Sequence, residues 1–186
     1  PIKAVAQVSK TAFTYVFDRI TGEPVWPIVE KPVAPSTVPG ERAHPTQPFP
    51  SKPAPFDRQG ITEDDLIDFT PEIAEEAKGI AEKFVLGPIF TPPIERGDGD
   101  KIATFVVPGA GGGANFPGAS IDPESGIIYV PSATRPHGMS LIKPPEGSSD
   151  WPLVIQMERQ VGPFGLPLLK PPYRRITAID LNTGDH

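Results

Sequence analysis

The fold is decided by residues 15–26, which read YVFDRITGEPVW. The first three residues are aromatic or β-branched, a composition that is typical of strands. Asp18 can accept hydrogen bonds from backbone N–H groups, and Gly22 can adopt the left-handed conformation, so the D-x-x-T-G pattern predicts a tight turn. Trp26 follows the turn and offers a large apolar surface with one indole N–H donor. The stretch therefore predicts a strand, a turn and a returning strand.

The same pattern recurs twice. Residues 178–184, AIDLNTG, repeat the turn, and residues 120–126, SIDPESG, are a variant with serine in place of threonine. Turn capping explains the recurring aspartates, so they are not interpreted as catalytic. Strand–turn–strand units that recur in this way are typical of sheets arranged radially around an axis. The predicted fold is all-β, and the predicted architecture is part of a β-propeller in which Trp26 packs between neighbouring sheets.

The composition supports a turn-rich fold. The chain has 27 prolines and 18 glycines in 186 residues, or about 24%, whereas these two types usually make up about 12%. Its 38% hydrophobic content and net charge of −6 still allow a core to form. This much proline excludes a coiled coil, and the lack of a three-residue glycine period excludes collagen. Without cysteine, disulfides and thiolate chemistry are excluded, and the mild acidity argues against a nucleic-acid partner.

The remaining elements are predicted from local patterns. The sequence predicts strands over residues 2–8, 13–17, 23–29, 103–107, 127–131 and 176–180. Residues 132–172 are predicted to be rich in loops. No apolar run approaches the length of a membrane span, and no signal peptide is recognised. Because the sequence begins inside a strand-like pattern and stops in a turn, we expect residues 1–186 to be a fragment of one domain.

Two segments interrupt the strand pattern. Residues 30–60 are so dense in proline that we expect an extended loop without regular structure. Residues 61–87 are predicted to be a helical insertion. Thr62 and Asp65 resemble a capping box, and Thr70 followed by proline predicts the start of a helix over about 71–85. The acidic residues of that helix are interpreted as its solvated face.

A family resemblance rests on these motifs. The pattern A-x-D-x-x-T-G-x-x-x-W is similar to the tryptophan-docking motif of the quinoprotein dehydrogenases, eight-bladed propellers that hold pyrroloquinoline quinone (PQQ) on their axis. Other stretches resemble the branch of membrane-type glucose, quinate and alcohol dehydrogenases: AHPTQPFPSKPAPF, GITEDDLIDFTPE, IFTPP, PGAGGGANFPGASIDPESGIIYVPS and FGLPLLKPPYRRITAIDLNTG. The resemblance covers nearly the whole chain. It implies about three blades of antiparallel four-stranded sheets, taken from the C-terminal half of an eight-bladed propeller.

The resemblance singles out Lys10 and Asn115 as cofactor-binding residues. On sequence alone, Lys10 is interpreted as a solvated turn lysine and Asn115 as a left-handed turn residue. The resemblance implies instead that Lys10 bonds the quinone oxygens of PQQ, where reduction builds negative charge. It implies that the Asn115 amide, which both donates and accepts, also reaches the cofactor. Phe116 stands where the family commonly has tryptophan.

The resemblance implies a periplasmic enzyme that oxidises an alcohol, sugar or polyol by hydride transfer to PQQ. Electrons would pass to a quinone or a cytochrome, and association with the inner membrane would run through a region that precedes the chain. The general-base aspartate and the Ca²⁺ ligands are expected upstream of Pro1, so the fragment alone is expected to be inactive. The alternative is a non-catalytic β-propeller that serves as a scaffold for protein–protein interaction.

Other candidate motifs are interpreted as structural. Gly109, Gly111 and Ala114 fit a loose dinucleotide-binding pattern, but Pro117 forbids the helix that this pattern requires. The three histidines, His44, His137 and His186, lack metal-ligand spacing and are predicted to be surface residues. The sequence therefore predicts no metal site within residues 1–186.

Overall fold

A computed structural model describes residues 2–97, 99–159 and 161–186. These residues form mainly short strands, with one α-helix and two single turns of 3-10 helix at Glu63–Asp65 and Pro163–Gly165. The helix is α1 (Pro71–Ala81), and the strands are β1 (Ala4–Val8), β2 (Thr14–Asp18), β3 (Ile28–Pro32), β4 (Thr46–Pro50), β5 (Phe84–Val85), β6 (Ile94–Glu95), β7 (Ala103–Val106), β8 (Ser120–Asp122), β9 (Ile127–Ala133), β10 (His137–Ile142), β11 (Val154–Arg159) and β12 (Arg174–Asp180).

The strands make four separate sheets. The pairs β1–β2 and β3–β4 are two-stranded, β12–β9–β8 is three-stranded, and a five-stranded sheet has the order β11–β10–β7–β5 with β6 also pairing β10. The β5–β7 and β6–β10 pairs are parallel, and the others are antiparallel. A mostly-β structure with one helix is consistent with a propeller fragment. The sheets hold two, two, three and five strands, whereas sheets of four strands were predicted.

The repeated turns form as predicted. Asp18 accepts from the backbone N–H of Ile20 at 2.8 Å, and Asp180 accepts from that of Asn182 at the same distance. Asp122 accepts from the N–H of Glu124 at 3.0 Å. The carboxylates therefore cap their own turns.

The third strand predicted at residues 23–29 forms only in part: the Asp18 N–H donates to the Glu23 carbonyl and the Val25 N–H to the Val16 carbonyl, both at 2.8 Å, and the pairing with β2 stops there. An isolated bridge joins Phe17 to Pro24, and β3 begins only at Ile28. Pro24 is at a non-hydrogen-bonded position of this pairing, where no N–H is needed, but Pro27 lacks the N–H that the next ladder bond to β2 would use. The chain therefore leaves the first sheet and starts a new one.

The proline-rich segment 30–60, predicted to lack regular structure, contains most of the β3–β4 ribbon. Its register pairs Glu30 with Pro48 and Lys31 with Gln47. Prolines 32, 48 and 50 occupy non-hydrogen-bonded positions, so their missing N–H groups point away from the partner strand. Ladder-type bonds from Val33 N–H to the Pro45 carbonyl and from Ser51 N–H to the Pro27 carbonyl flank the ribbon at its two ends.

The loop prediction for residues 132–172 is also wrong in part, because β10 and β11 lie there. The strand β10 is central and pairs with β6, β7 and β11. Its buried positions are held by Gly138 and Ser140, the latter 2% exposed. Small residues at the buried positions remove the apolar alternation by which a strand is recognised in sequence.

The helix begins as predicted but ends earlier. Thr70 Oγ1 accepts from the N–H of Ile73 at 3.3 Å, and α1 ends at Ala81, whereas the prediction extended it to about residue 85. Phe84 and Val85 instead form β5 against β7. The Thr62–Asp65 capping contact is present, with the Thr62 N–H donating to Asp65 Oδ2 at 2.8 Å, but it caps a turn of 3-10 helix.

Two apolar cores hold the sheets. One joins α1, β5 and β7 to two buried leucines, Leu168 and Leu169. The other contains Phe56, which is 1% exposed, with Val8 of β1, Val130 of β9 and Ile179 of β12. The proline-rich segment is therefore packed against the sheets through Phe56. Among the described helices, none has the length and apolarity needed to cross a membrane.

Candidate cofactor-binding site

Lys10 lies in the turn between β1 and β2. The Ser9 hydroxyl donates to the Phe13 carbonyl at 2.8 Å and ties the two ends of this turn together. Ala12, fully buried in the second core, takes a positive φ of 65° and anchors the turn. The Lys10 side chain is exposed, and its ammonium makes one long contact, 3.4 Å from Nζ to the Ala110 carbonyl. The ammonium thus keeps donors available for a ligand.

Residues 109–113, the glycine loop, pack directly on this turn. The Gly113 N–H donates to the Lys10 carbonyl at 2.9 Å. Gly112 has a φ of +79°, and a Cβ placed on it would lie 2.6 Å from the Cα of Lys10. Only a residue without a side chain permits this approach. The structure therefore packs the loop that precedes Asn115 against the turn that contains Lys10.

The opposite face of the glycine loop meets the start of β10. A Cβ on Gly109 would collide with the His137 ring and with the Arg135 carbonyl. The His137 Nδ1 lies 3.2 Å from that same carbonyl. The loop is consequently held between Lys10 on one side and residues 135–137 on the other.

Asn115 is exposed, and its amide forms hydrogen bonds with neighbouring residues of its own loop. Its Nδ2 donates to the Gly111 carbonyl at 3.1 Å, and its Oδ1 accepts from the Phe116 N–H at 2.8 Å. It is not among the residues with positive φ, so the left-handed turn interpretation is wrong. One N–H of the amide stays available. The neighbouring Phe116 is 99% exposed.

Three clefts surround the glycine loop. The Lys10 cleft, of about 210 Å³, is lined by Lys10, Thr11, Ile89, Phe90, Thr91, Val106, Pro108 and Gly109. The Asn115 cleft, of about 330 Å³, runs between residues 111–118 and residues 131–135, and Arg174 also lines it. The His137 cleft, of about 460 Å³, contains His137 and Arg159. Lys10 and Asn115 therefore line different clefts on the same loop.

Several polar residues here were missed by the sequence reasoning. Arg135 lines both the Asn115 cleft and the His137 cleft. Asp57, from the proline-rich segment, is 5% exposed and accepts from the Thr134 hydroxyl at 2.7 Å, one residue before Arg135. Its Oδ1 also lies 3.4 Å from Arg175 Nη2. These residues are far apart in sequence, and no local sequence pattern predicts that they are in contact.

Within the described part of the chain, no group of three or more histidine, aspartate or glutamate side chains is arranged to hold a metal ion. Burial raises the pKa of the Tyr15 hydroxyl in β2. This hydroxyl donates to the Pro48 carbonyl at 3.1 Å, which ties β2 to the proline-rich ribbon. The charged side chains that line the three clefts are basic: Lys10, Arg135, Arg159 and Arg174.

Comparison with known proteins gives a consistent result. The chain is 26% identical to the quinate/shikimate dehydrogenase (quinone) of Acinetobacter baylyi, over 97% of this chain and 24% of that protein. It is 28% identical to the quinoprotein glucose dehydrogenase of Escherichia coli, over 95% and 24%. It is 29% identical to the glycerol dehydrogenase large subunit of Gluconobacter thailandicus, over 98% and 28%. The chain thus spans about a quarter of the length of these relatives.

No solved structure matches the chain significantly. The model of the β-propeller domain of the PQQ-dependent glucose/ethanol/alcohol dehydrogenases matches residues 1–186, the whole chain. The chain therefore belongs to the family of PQQ-dependent glucose/ethanol/alcohol dehydrogenases and contributes to its β-propeller domain.

Proposed function

We propose that residues 1–186 are part of a PQQ-dependent dehydrogenase that oxidises an alcohol, sugar or polyol, and that they supply one wall of the cofactor site. The observation that carries the proposal is the packing of the glycine loop on Lys10. A loop that approaches a lysine this closely holds the backbone of Lys10 firmly while its ammonium stays exposed. The names of the relatives, which refer to glucose, quinate and glycerol, support an alcohol, sugar or polyol as the substrate class.

The chemistry of Lys10 fits the quinone. Its Nζ has three donors and one long contact, so it can donate to an oxygen that gains negative charge. When bound, PQQ supplies a two-electron acceptor for the hydride of the substrate. Lys10 would hold and polarise the quinone oxygens, and the Gly113 N–H bond would keep its backbone in place.

Asn115 fits a supporting role. The Gly111 carbonyl and the Phe116 N–H fix the plane of its amide, and the second N–H of Nδ2 remains as a donor toward a quinone or carboxylate oxygen. Because the amide is already oriented, it loses little conformational freedom on binding the cofactor. We assign it to cofactor binding together with Lys10.

The other parts of the reaction are proposed to lie outside residues 1–186. A general-base aspartate would take the hydroxyl proton of the substrate, and Ca²⁺ would polarise the cofactor carbonyl. The electrons would pass to a quinone or cytochrome, in line with the acceptor in the name of the Acinetobacter baylyi relative. We propose a periplasmic location, with membrane association through a region outside this chain.

For the architecture, we propose that the four sheets belong to about three blades of one eight-bladed propeller domain. In this proposal the β3–β4 ribbon and the segment 61–87 are insertions within it. The isolated residues would then lack activity, because the base and the metal ligands are contributed by the rest of the domain. A non-catalytic scaffold is the alternative, and the exposed ammonium beside the glycine loop favours the enzyme.

The experiment is a dye-linked dehydrogenase assay of the full-length protein with and without PQQ and Ca²⁺, over alcohols, sugars and polyol acids. We expect reduction of the dye only when PQQ is added. Lys10→Ala should lower kcat by at least tenfold, and Lys143→Ala, an exposed lysine in a different loop, should leave it unchanged. A full-length protein that takes up PQQ and oxidises nothing in the panel would instead support the scaffold.

A further inference from the structure

The Asn115 cleft and the His137 cleft meet at one backbone segment and one arginine. Gly111 and Arg135 line both, so the two clefts are neighbours on the surface. Arg174 lines the first, because its partner in the β9–β12 register, Ala133, lies near the end of β9. Arg159 and His137 line the second and are direct partners in the β10–β11 register. Two strand ends, the last residue of β11 and the first residue of β12, thus bring arginines to the clefts that Arg135 lines.

The two clefts are lined by basic side chains, although the chain as a whole is acidic. The sequence has 23 acidic and 17 basic residues, yet no aspartate or glutamate is among the residues that line either cleft. The described salt bridges of arginine involve Arg58, Arg96 and Arg175. Across residues 2–97, 99–159 and 161–186, no carboxylate lies within ion-pair distance of Arg135, Arg159 or Arg174. Their charges are therefore available to a ligand.

Asp57 is the buried carboxylate near these arginines, and its own contacts engage other residues. This buried carboxylate is engaged with the Thr134 hydroxyl at 2.7 Å and faces Arg175, the neighbour of Arg174. It fixes the backbone just before Arg135 without neutralising Arg135 or Arg174. The wall of the Asn115 cleft also contains Ser132, which is 8% exposed and whose Oγ has no hydrogen-bond partner among the described residues. Ser132 is the partner of Arg175 in the β9–β12 register, so its side chain shares a face of the sheet with Arg175, and Arg174 lies on the opposite face beside Ala133.

We propose that Arg135 and Arg174, with Arg159 at the far side, form a binding site for a carboxylate group. Guanidinium groups bind carboxylates through paired, charge-assisted hydrogen bonds. The site is across the glycine loop from Lys10, because Gly109 lines the Lys10 cleft and also packs against His137 and the Arg135 carbonyl. The proposal rests on the proposed dehydrogenase function and narrows it. The carboxylate belongs either to a polyol-acid substrate or to PQQ, which itself is a tricarboxylate.

The test uses the full-length protein and two binding measurements that need no turnover. Calorimetry on the PQQ-free protein follows the binding of D-gluconate, with glycerol as the neutral polyol and sulfate as a simple anion. Fluorescence titration follows the binding of PQQ. The variants are Arg135→Gln and Arg174→Gln, and the matched control is Arg42→Gln, an exposed arginine in the proline-rich segment. Thermal unfolding midpoints within 2 °C of the parent protein verify the fold.

We expect Arg135→Gln and Arg174→Gln each to lower the affinity for one carboxylate ligand by at least tenfold. The control, Arg42→Gln, should change that affinity by less than twofold. A loss confined to gluconate assigns the site to the substrate, and a loss confined to PQQ assigns it to the cofactor. The proposal is overturned if neither ligand weakens, if sulfate competes as well as gluconate, or if glycerol binding falls equally. Failure of the dehydrogenase function would appear separately, as absent dye reduction in a protein whose gluconate binding still depends on Arg135.

Discussion

Trp26 lies against Gly184, so the tryptophan that follows the first turn of the repeat contacts the glycine of the last turn. A Cβ built on Gly184 would lie 3.0 Å from Trp26 Cζ2 and equally close to the Lys52 side chain. Gly184 itself has a φ of +76°. The two copies of the motif, more than 150 residues apart, are therefore in direct contact, and their packing joins the first sheet to the end of β12.

This contact predicts the effect of Gly184→Ala. The new Cβ would meet Trp26 and Lys52 and would also sit in an unfavourable backbone region, so we expect a loss of about 2–4 kcal/mol in the free energy of unfolding. Gly147→Ala is the matched control, because Gly147 has a φ of +75° with nothing within 4 Å, and it should cost about 1 kcal/mol. Urea unfolding of the full-length protein measures both. Equal losses in the two variants would contradict a role for the contact.

The glycine loop gives a second prediction. In Gly112→Ala the Cβ would overlap the Lys10 backbone, so the loop must move away from Lys10 and the cofactor wall must change shape. We expect PQQ to bind at least tenfold more weakly to the full-length variant in a fluorescence titration. Gly40→Ala shares the positive φ and has open space around its Cβ, so its PQQ affinity should match the parent. Unchanged affinity in Gly112→Ala would separate the loop from the cofactor.

A third prediction concerns Asp57. Its side chain is 1% exposed and accepts from the Thr134 hydroxyl, and it faces Arg175. Asp57→Ala leaves both partners without their acceptor, and we expect it to lower the free energy of unfolding by about 2–4 kcal/mol. Asp57→Asn keeps one acceptor oxygen, so its free energy of unfolding should fall by less than that of Asp57→Ala. The exposed Asp150→Ala is the control, and a loss there as large as at Asp57 would refute the structural role.

The fourth prediction is a pH dependence at the last turn. The pKa of Asp185 is lowered, first by its hydrogen bond with Lys52, whose Nζ lies 2.9 Å from Oδ1. A carboxyl with a lower pKa in the folded state stabilises the fold above its unfolded pKa, about 3.9, and this stabilisation is lost as pH falls through the folded value. We expect the urea midpoint of Asp185→Asn to fall less between pH 6 and pH 3 than that of the parent.

Lys52→Gln provides the check on that explanation. Because Lys52 is the first cause of the lowered pKa, its removal should flatten the same part of the pH profile. A profile that flattens in Asp185→Asn and stays steep in Lys52→Gln would assign the shift to the Thr183 hydrogen bond instead.

The parts of the fold that could be predicted are those set by neighbouring residues. The turns at Asp18, Asp122 and Asp180 form because each carboxylate reaches an N–H two residues further on. The start of α1 follows from Thr70 and the proline after it. These contacts need no distant partner, so the sequence pattern suffices to predict them.

The parts that could not be predicted depend on distant partners. The strand β10 is stabilised by three other strands and presents Gly138 and Ser140 to the core, so its own sequence carries no apolar alternation. At the site, Lys10 and Asn115 were selected by resemblance. Arg135 and Arg174 were not selected, because only the β9–β12 pairing brings them to the same cleft.

The proline-rich ribbon has a consequence for how the protein behaves when it is crowded by other chains. An edge strand with free N–H and C=O groups can recruit a strand from a second molecule and begin aggregation. On the outer edge of β4, prolines remove the donors at positions 48 and 50, and the Pro48 carbonyl already accepts from the Tyr15 hydroxyl. The outer edge of β4 therefore offers a poor template for intermolecular pairing, while its pairing with β3 stays intact.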